Sequence, residues 1–319
     1  MKILITGVCG FIGFHLTKKL AINKKYKIFG IDNFDKYYSI NLKKKRKSEL
    51  LKIKNFKFYK IDLTNSKKLD NFIKKNKFNT IFHLAAQAGV RYSIQNPKKY
   101  IRNNISAFFN LLESAKKNDV KKLFYASSSS VYGDSNKFPL KENQILKTKN
   151  LYSLSKEFNE KLSSVFSNFY NMNLIGLRFF TAYGEWGRPD MMMMKYILAK
   201  KNKKKFFLYN YGKHLRDFTY IDDLTNILKL MINKRYKKKH DVFNICSSKT
   251  IKITSVLKLI DKYIPNKVVI KRVSLQKADV LKTFGSNKKI IKLTNYKKFT
   301  PIHTGVKNLC DWAKKFYNL

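Results

Sequence analysis

The chain has 319 residues with 44% hydrophobic content, enough for one large α/β domain with an appended lobe or for two domains. Lysine and arginine outnumber aspartate and glutamate 68 to 20, a formal charge of +48, yet all but eight of the basic residues are lysines scattered without interleaved aromatics. That pattern argues for a solvated surface that binds polyanions only non-specifically at low salt, and against a dedicated nucleic-acid platform.

No run of 18 apolar residues appears, and Met1 to Ile5 leads straight into a glycine turn, so neither a membrane span nor a signal peptide is expected. Cys9, Cys246 and Cys310 are far apart with no C-x-x-C pair, which predicts a reducing cytoplasm and no zinc site. His15, His83, His214, His240 and His303 share no ligand spacing, so no metal is expected.

Lys2 to Thr6 reads as a buried strand, followed by Gly7, Gly10 and Gly13 and a helical pattern through Leu16, Leu20 and Ile22. Such glycines give a tight turn, close approach of backbone to a pyrophosphate, and close helix packing. The helix start at Phe11 and Ile12 offers free N–H groups to that anion. The next strand, Tyr26 to Ile31, ends in Asp32 beside Asn33. A carboxylate there accepts bonds from an adenosine ribose and repels a 2′-phosphate, so NAD is favoured over NADP.

Strand and helix keep alternating. Phe56 to Ile61 ends at Asp62-Leu63, where a carboxylate and backbone meet the adenine, and Thr80 to Leu84 opens into Ala85-Ala86-Gln87-Ala88-Gly89-Val90-Arg91, whose small residues admit a ligand close to the backbone. A long helix from about Pro97 to Lys117 carries Asn103, and the strand Lys122 to Ala126 delivers Ser127 to Ser130 at its carboxyl end, the ligand rim of a parallel sheet. From Leu151 to Tyr170, Leu154, Phe158, Leu162, Val165, Phe166 and Phe169 recur at helical steps. That helix places Tyr152 one turn from Lys156, whose charge favours the phenolate and makes the tyrosine a proton acceptor nearer neutral pH.

After the strand Asn173 to Arg178 comes a turn-rich, aromatic segment to Asp190, where a second lobe is expected to begin. Met191 to Met194 read as the start of a core helix, Phe206 to Tyr209 and Leu215 to Tyr220 as strands, and Val242 to Ile245 as a strand returning to the main sheet. The remainder, through Lys277-Ala278-Asp279 to a terminal helix with Trp312 and Phe316, reads only coarsely. The fold class is therefore α/β, a doubly wound parallel Rossmann sheet over 1–178 with a smaller mixed α/β lobe over 179–319. In a chain that uses lysine by default, Arg91, Arg178, Arg188 and Arg216 fall in motif-like segments; Arg178 reads equally as a structural partner near the sheet, and Arg216 as a diphosphate ligand.

Together, Gly7-x-x-Gly10-x-x-Gly13, the serine run before Val131-Tyr132-Gly133, Tyr152-x-x-x-Lys156, Arg178 to Gly184 and Arg216 to Asp223 resemble the extended short-chain dehydrogenase/reductases acting on nucleotide sugars. Ile31 to Tyr38, His83 to Ser93 and Trp186 to Met191 resemble the UDP-glucuronate 4-epimerases among them. The resemblance runs almost end to end. It implies NAD held by Gly7, Gly10, Phe11, Ile12, Gly13, Asp32, Asn33, Asp62, Leu63, Leu84, Ala85, Ala86, Gln87, Asn103, Tyr152 and Lys156, and a UDP-sugar held by Arg91, Ser128, Ser129, Ser130, Thr181, Arg188, Arg216 and Asp279.

It further implies a reversible oxidation at the sugar C4, with Tyr152 taking the 4-hydroxyl proton, Lys156 on the nicotinamide ribose and Ser128 on the 4-oxygen. Dehydratases and decarboxylases of the family carry an acid just after the catalytic Ser/Thr, whereas Ser129 and Ser130 stand here, which favours plain epimerisation. Those serines and Thr181 are expected to hold a uronate carboxylate. The resemblance thus points to UDP-glucuronate becoming UDP-galacturonate. The alternatives are a 4-epimerase of UDP-glucose, UDP-N-acetylhexosamine or UDP-N-acetylhexosaminuronate, and a dinucleotide binder without catalysis. Leu154-Ser155 inside the Tyr/Lys motif, Ser128 in place of threonine and the methionine run depart from the family's pattern and bear on sugar preference. A homodimer through the helices at 97–117 and 151–170 follows from the resemblance, with no specific nucleic acid and no membrane as partner.

Overall fold

Ile3, Leu4 and Ile5 are all fully buried, as a strand must be when helices cover both faces of a parallel sheet. The computed structural model of the protein describes residues 1–276 and 279–319, so Lys277 and Ala278 lie outside the described residues. The first half runs β1 (Lys2–Thr6), α1 (Phe11–Ala21), β2 (Lys27–Asp32), α2 (Ile40–Leu51), β3 (Phe56–Lys60), α3 (Ser66–Asn76), β4 (Thr80–His83), α4 (Val90–Gln95) and α5 (Pro97–Tyr100). A π-helical segment, Ile101–Ser106, joins α5 to α6 (Ala107–Lys117); then come β5 (Lys122–Ser128), a 3₁₀ turn (Ser129–Tyr132), α7 (Leu151–Tyr170) and β6 (Asn173–Phe179). The second half contains β7 (Thr181–Tyr183), α8 (Met192–Lys201), β8 (Phe206–Tyr209), β9 (Leu215–Tyr220), α9 (Ile221–Met231), β10 (His240–Ile245), β11 (Thr250–Lys252), α10 (Ile253–Tyr263), β12 (Ile270–Val273), α11 (Lys288–Thr294) and α12 (Ile302–Tyr317).

Seven parallel strands form the main sheet in the order β10-β6-β5-β4-β1-β2-β3. The strand order reverses direction between β1 and β4, and the crevice outside their carboxyl ends is where such sheets bind ligands. Residue alternation along β1 divides the core: Ile3 and Ile5 pack with α1 and α9, while Leu4 packs with α3 and α6 on the other face. Thus α9, from the second half, covers the same face as α1, and β10 returns to the sheet beside β6. A separate core of Ile197, Leu257 and Leu309 joins α8, α10 and α12 around the small sheets β11-β9-β7 and β12-β8. Among the described residues no helix is long and apolar enough to cross a membrane.

Two elements differ from the sequence expectation in ways that shape the site. The long helix expected from Pro97 to Lys117 contains the π-helical turn, which swings Asn103 and Asn104 out of the α-helical register. In α7 the helical period holds but its apolar residues are divided: Leu154, Phe158, Val165 and Phe169 are 42 to 78% exposed, whereas Phe166 is buried with Leu162 packed on the core, and Ser153, Ser155, Lys156, Asn159, Glu160 and Ser163 are buried. Small polar residues let α7 lie close on β5, and that closeness brings Lys156 within reach of the strand's end.

Candidate active site

A cleft of about 650 Å³ opens at the carboxyl ends of β1, β2, β4 and β5 and continues past β7 and β8. Its walls include all of the sequence-predicted site residues. At one end is the glycine turn. Gly7 has φ +68°, and a Cβ on it would stand 2.7 Å from the Ala85 backbone. A Cβ on Gly13 would meet the Gly7 carbonyl oxygen at 2.4 Å, so the turn and α1 interlock only without side chains. Gly10 caps α1 with no side chain over it, which leaves the first-turn N–H groups at Phe11 and Ile12 facing the cleft for an anion.

Asp32 closes β2 as a buried carboxylate that accepts the Cys9 and Phe34 N–H groups at 3.0 and 2.8 Å. Burial pushes its pKa up, opposed by the Phe34 N–H and the Lys43 ammonium. Asn33 donates to Asp62 at 3.0 Å, and Asp62 is oriented by the Thr64 N–H and hydroxyl, so this wall is built before any ligand arrives. Leu63, Leu84, Ala85, Ala86 and Asn103 complete it. The glycine cradle and the buried carboxylate suit a dinucleotide whose adenosine ribose lacks a 2′-phosphate.

In the middle stand the chemical groups. Tyr152 opens α7, whose start is fixed by a capping box between Asn150 and Ser153. Burial raises the Tyr152 phenol pKa; the Ser128 hydroxyl and the Arg188 charge pull against it. Ser128 accepts both the N–H and the hydroxyl of Ser130, at 3.2 and 3.0 Å, which leaves its own proton to donate into the cleft. The Lys156 amine donates to the Ala126 carbonyl at 2.9 Å, and burial lowers its pKa to about 8. Lys156, one turn from Tyr152, is turned to the strand end, and Arg188 lines the same cleft as the phenol. Asn104, from the π-helical turn, holds both backbone groups of Gln87 at 2.7 and 3.0 Å and the Ser155 hydroxyl at 3.0 Å, clamping the β4 exit to α7.

At the far end Ser129, Ser130, Thr181 and Arg188 line the wall with Met191 to Lys195. Arg91 and Arg216 reach this end but already have partners. Arg91 bonds Asp279 at 2.6 and 3.3 Å and stacks 3.7 Å above the Tyr209 ring. Arg216 donates to the Val280 and Leu281 carbonyls at 2.6 and 3.0 Å, and burial lowers its pKa to about 10. Arg178 stays out of the cleft and is the structural partner of Glu160. His83 packs on Phe108 and bonds Thr6, and among the described residues no group of three His, Cys, Asp or Glu side chains could hold a metal.

Sequence reasoning missed Arg46. The cluster Lys43 to Lys47 reads as solvated surface, yet Lys43 and Arg46 are buried. Arg46 donates to the Cys9 carbonyl at 2.9 Å, the Tyr38 hydroxyl at 2.8 Å and the Trp186 and Gly187 carbonyls, tying the glycine turn to the far wall. The signal was there: an arginine among lysines, spaced with Leu42 and Leu50 on one helical face. Tyr37 and Asp190 were likewise not singled out.

A family model described as NAD dependent epimerase/dehydratase family matches residues 3–246. Protein CapI of Staphylococcus aureus is 36% identical over 99% of this chain and 99% of its own length. The UDP-glucuronate 4-epimerase of Thermodesulfobacterium geofontis is 35% identical over 98% of this chain and 96% of its own. Among solved structures, the UDP-glucuronic acid 4-epimerase of Bacillus cereus, in complex with UDP-glucuronic acid and NAD, superimposes with a TM-score of 0.93 at 28% identity, covering 99% of this chain and 100% of that one.

Proposed function

The chain belongs to the NAD dependent epimerase/dehydratase family and is an NAD-dependent nucleotide-sugar 4-epimerase, and we propose that it interconverts UDP-glucuronate and UDP-galacturonate. Residues 1–178, with β10, are assigned to the cofactor and 179–319 to the nucleotide sugar. Bound NAD supplies an acceptor, and then a donor, for the hydride at the sugar C4. The remaining work falls to the chain. Tyr152, as phenolate, removes the 4-hydroxyl proton while Ser128 donates to the same oxygen. After the 4-keto sugar turns about its diphosphate link and offers the other face of C4 to the returning hydride, Tyr152 gives the proton back to the 4-oxygen. Lys156 is assigned to the ribose beside the nicotinamide, and Arg91, Arg216 and Asp279 to the UDP end.

The observation that carries the uronate reading is the wall just past Ser128. Ser129 and Ser130 stand there with Thr181, all lining the cleft, where an acid would serve elimination or decarboxylation. Uncharged hydroxyls hold a carboxylate by short bonds and offer no proton acceptor at C5. The name of the 35% identical relative supports the same reading. The test is to incubate the purified protein separately with UDP-glucuronate, UDP-glucose and UDP-N-acetylglucosamine and to resolve the sugars formed. UDP-galacturonate should form fastest. Turnover of a neutral sugar with none of the uronate would overturn the substrate. The double substitution Ser129→Ala, Thr181→Ala should cut uronate turnover about tenfold or more and add a decarboxylated product; unchanged rate and purity would remove these residues from carboxylate binding.

The proposal includes a homodimer. The exposed apolar face of α7 lies beside exposed Phe109 and Ile101 of the neighbouring helical segment, and Phe109 packs edge-on against Phe166. A contiguous stripe of this kind suits an isologous pairing with the same face of a second copy. Sedimentation at micromolar concentration should find a dimer, and Phe158→Glu with Phe169→Glu should leave a folded monomer. An unsubstituted protein that sediments as a monomer would contradict the pairing.

A further inference from the structure

The turn that presents Arg188 is fastened from the cofactor side at three points. His15 of α1 donates its Nε2 proton to the Glu185 carbonyl at 2.9 Å. Arg46 of α2 donates to the Trp186 and Gly187 carbonyls. Tyr37, in the connection between β2 and α2, donates its hydroxyl to Asp190 Oδ2 at 3.1 Å, and Asp190 takes the Arg188 guanidinium in two bonds of 3.0 and 2.5 Å.

Of the three, Tyr37 acts on a side chain that enters the cleft. Its reach is set by its surroundings: its backbone N–H bonds Asp35 Oδ1 at 2.8 Å, and its ring packs on Tyr92 with centroids 4.8 Å apart. The hydroxyl passes over Gly89, where a Cβ would stand 2.3 Å away. Arg188 and Asp190 sit two residues apart on one turn, so their ion pair alone fixes them to each other and not to the cleft. The Tyr37 bond joins that pair to a part of the chain 153 positions away.

We propose that Tyr37 is a positioning residue for the reaction: through Asp190, its hydroxyl holds the Arg188 guanidinium in the wall of the cleft that Tyr152 also lines. This rests on the 4-epimerase reading, in which Tyr152 is the base. Arg188 and the Ser128 hydroxyl are the groups that favour the ionised phenol against burial. Around Arg188 stand Asp190, Tyr37, Tyr38 and, from α8, Lys195; beside Tyr152 stands Tyr100, with Lys156 one turn on. A guanidinium that swings away leaves the phenol harder to ionise, so the acid limb of the kcat profile moves to higher pH.

Tyr37→Phe keeps the ring packing and removes only the bond. The variant holoenzyme should retain its NAD, lose about tenfold in kcat with little change in KM, and show the acid limb displaced upward. In an Arg188→Gln background the same substitution should do nothing more. An unchanged kcat and limb, or an equal loss when Arg188 is already gone, overturns the role. Crystal structures of the two holoenzymes without substrate decide it independently of turnover: Arg188 should leave its place in Tyr37→Phe, and an unmoved Arg188 overturns the proposal. If the unsubstituted protein converts no UDP-sugar, the epimerase reading fails by itself while the crystal comparison still stands.

Discussion

Replacing Tyr152 with phenylalanine is expected to lower turnover by about 10²–10⁴-fold while the protein keeps its NAD. The ring stays where it was, edge-on to Tyr100 with centroids 6.2 Å apart, and only the oxygen that moves the proton is lost. Burial holds the phenol pKa above its usual value, with the Ser128 hydroxyl and Arg188 in opposition, so the active phenolate gains population as pH rises and kcat rises with it. The kcat profile is therefore expected to carry an acid limb that rises towards the raised phenol pKa. Measuring kcat against pH, with bound NAD assayed in parallel, checks both points; a phenylalanine variant with more than a tenth of normal turnover would contradict the assignment.

The second large effect is on stability. Arg178→Met is expected to destabilise the fold by about 3–5 kcal/mol. Glu160, one turn beyond Lys156 on α7, takes Arg178 in two bonds of 2.9 and 2.6 Å and the Ser127 hydroxyl at 2.5 Å, all buried. Arg178 also donates to the Tyr132 hydroxyl at 2.8 Å, which in turn donates to Asn244 at 2.6 Å. Removing the guanidinium strands a carboxylate in the interior beside the strand that carries Ser128. Urea unfolding measures the loss, and Arg178→Met combined with Glu160→Leu should recover much of it, since a pair replaced by apolar groups leaves no orphaned charge. A single-site cost under about 1 kcal/mol would show that the pair does not bear on α7 as argued.

The parts of this molecule that were legible in the sequence are those in which one residue type answers one local demand. Gly7 and Gly13 allow backbone contacts that no side chain tolerates, Asp32 ends a strand, and Tyr152 and Lys156 keep helical spacing. The face of α7 was not legible, because a period fixes which residues share a side and not which side meets the sheet. Leu154, Phe158, Val165 and Phe169 point outward, while Phe166 and most of the serines pack inward. Arg46 was hidden for a related reason: composition marked its neighbours as solvent-facing, while its burial depends on carbonyls of Cys9 and Trp186 that meet only in the folded chain. Arg91 and Arg216 line the cleft, but their bonds to Asp279, Val280 and Leu281 arise from a segment that sequence reading reached only coarsely. Side-chain relays such as Tyr37 to Asp190 to Arg188 leave no periodic trace at all.

In the proposed reaction a hydride leaves C4 of a UDP-hexuronate and the same hydride returns to its other face, with Tyr152 handling only the hydroxyl proton. Turnover of UDP-glucuronate in heavy water, followed by NMR of the sugars, addresses it directly. UDP-galacturonate should accumulate with protium retained at both C4 and C5. Deuterium at either carbon, or no galacturonate at all, would contradict the account.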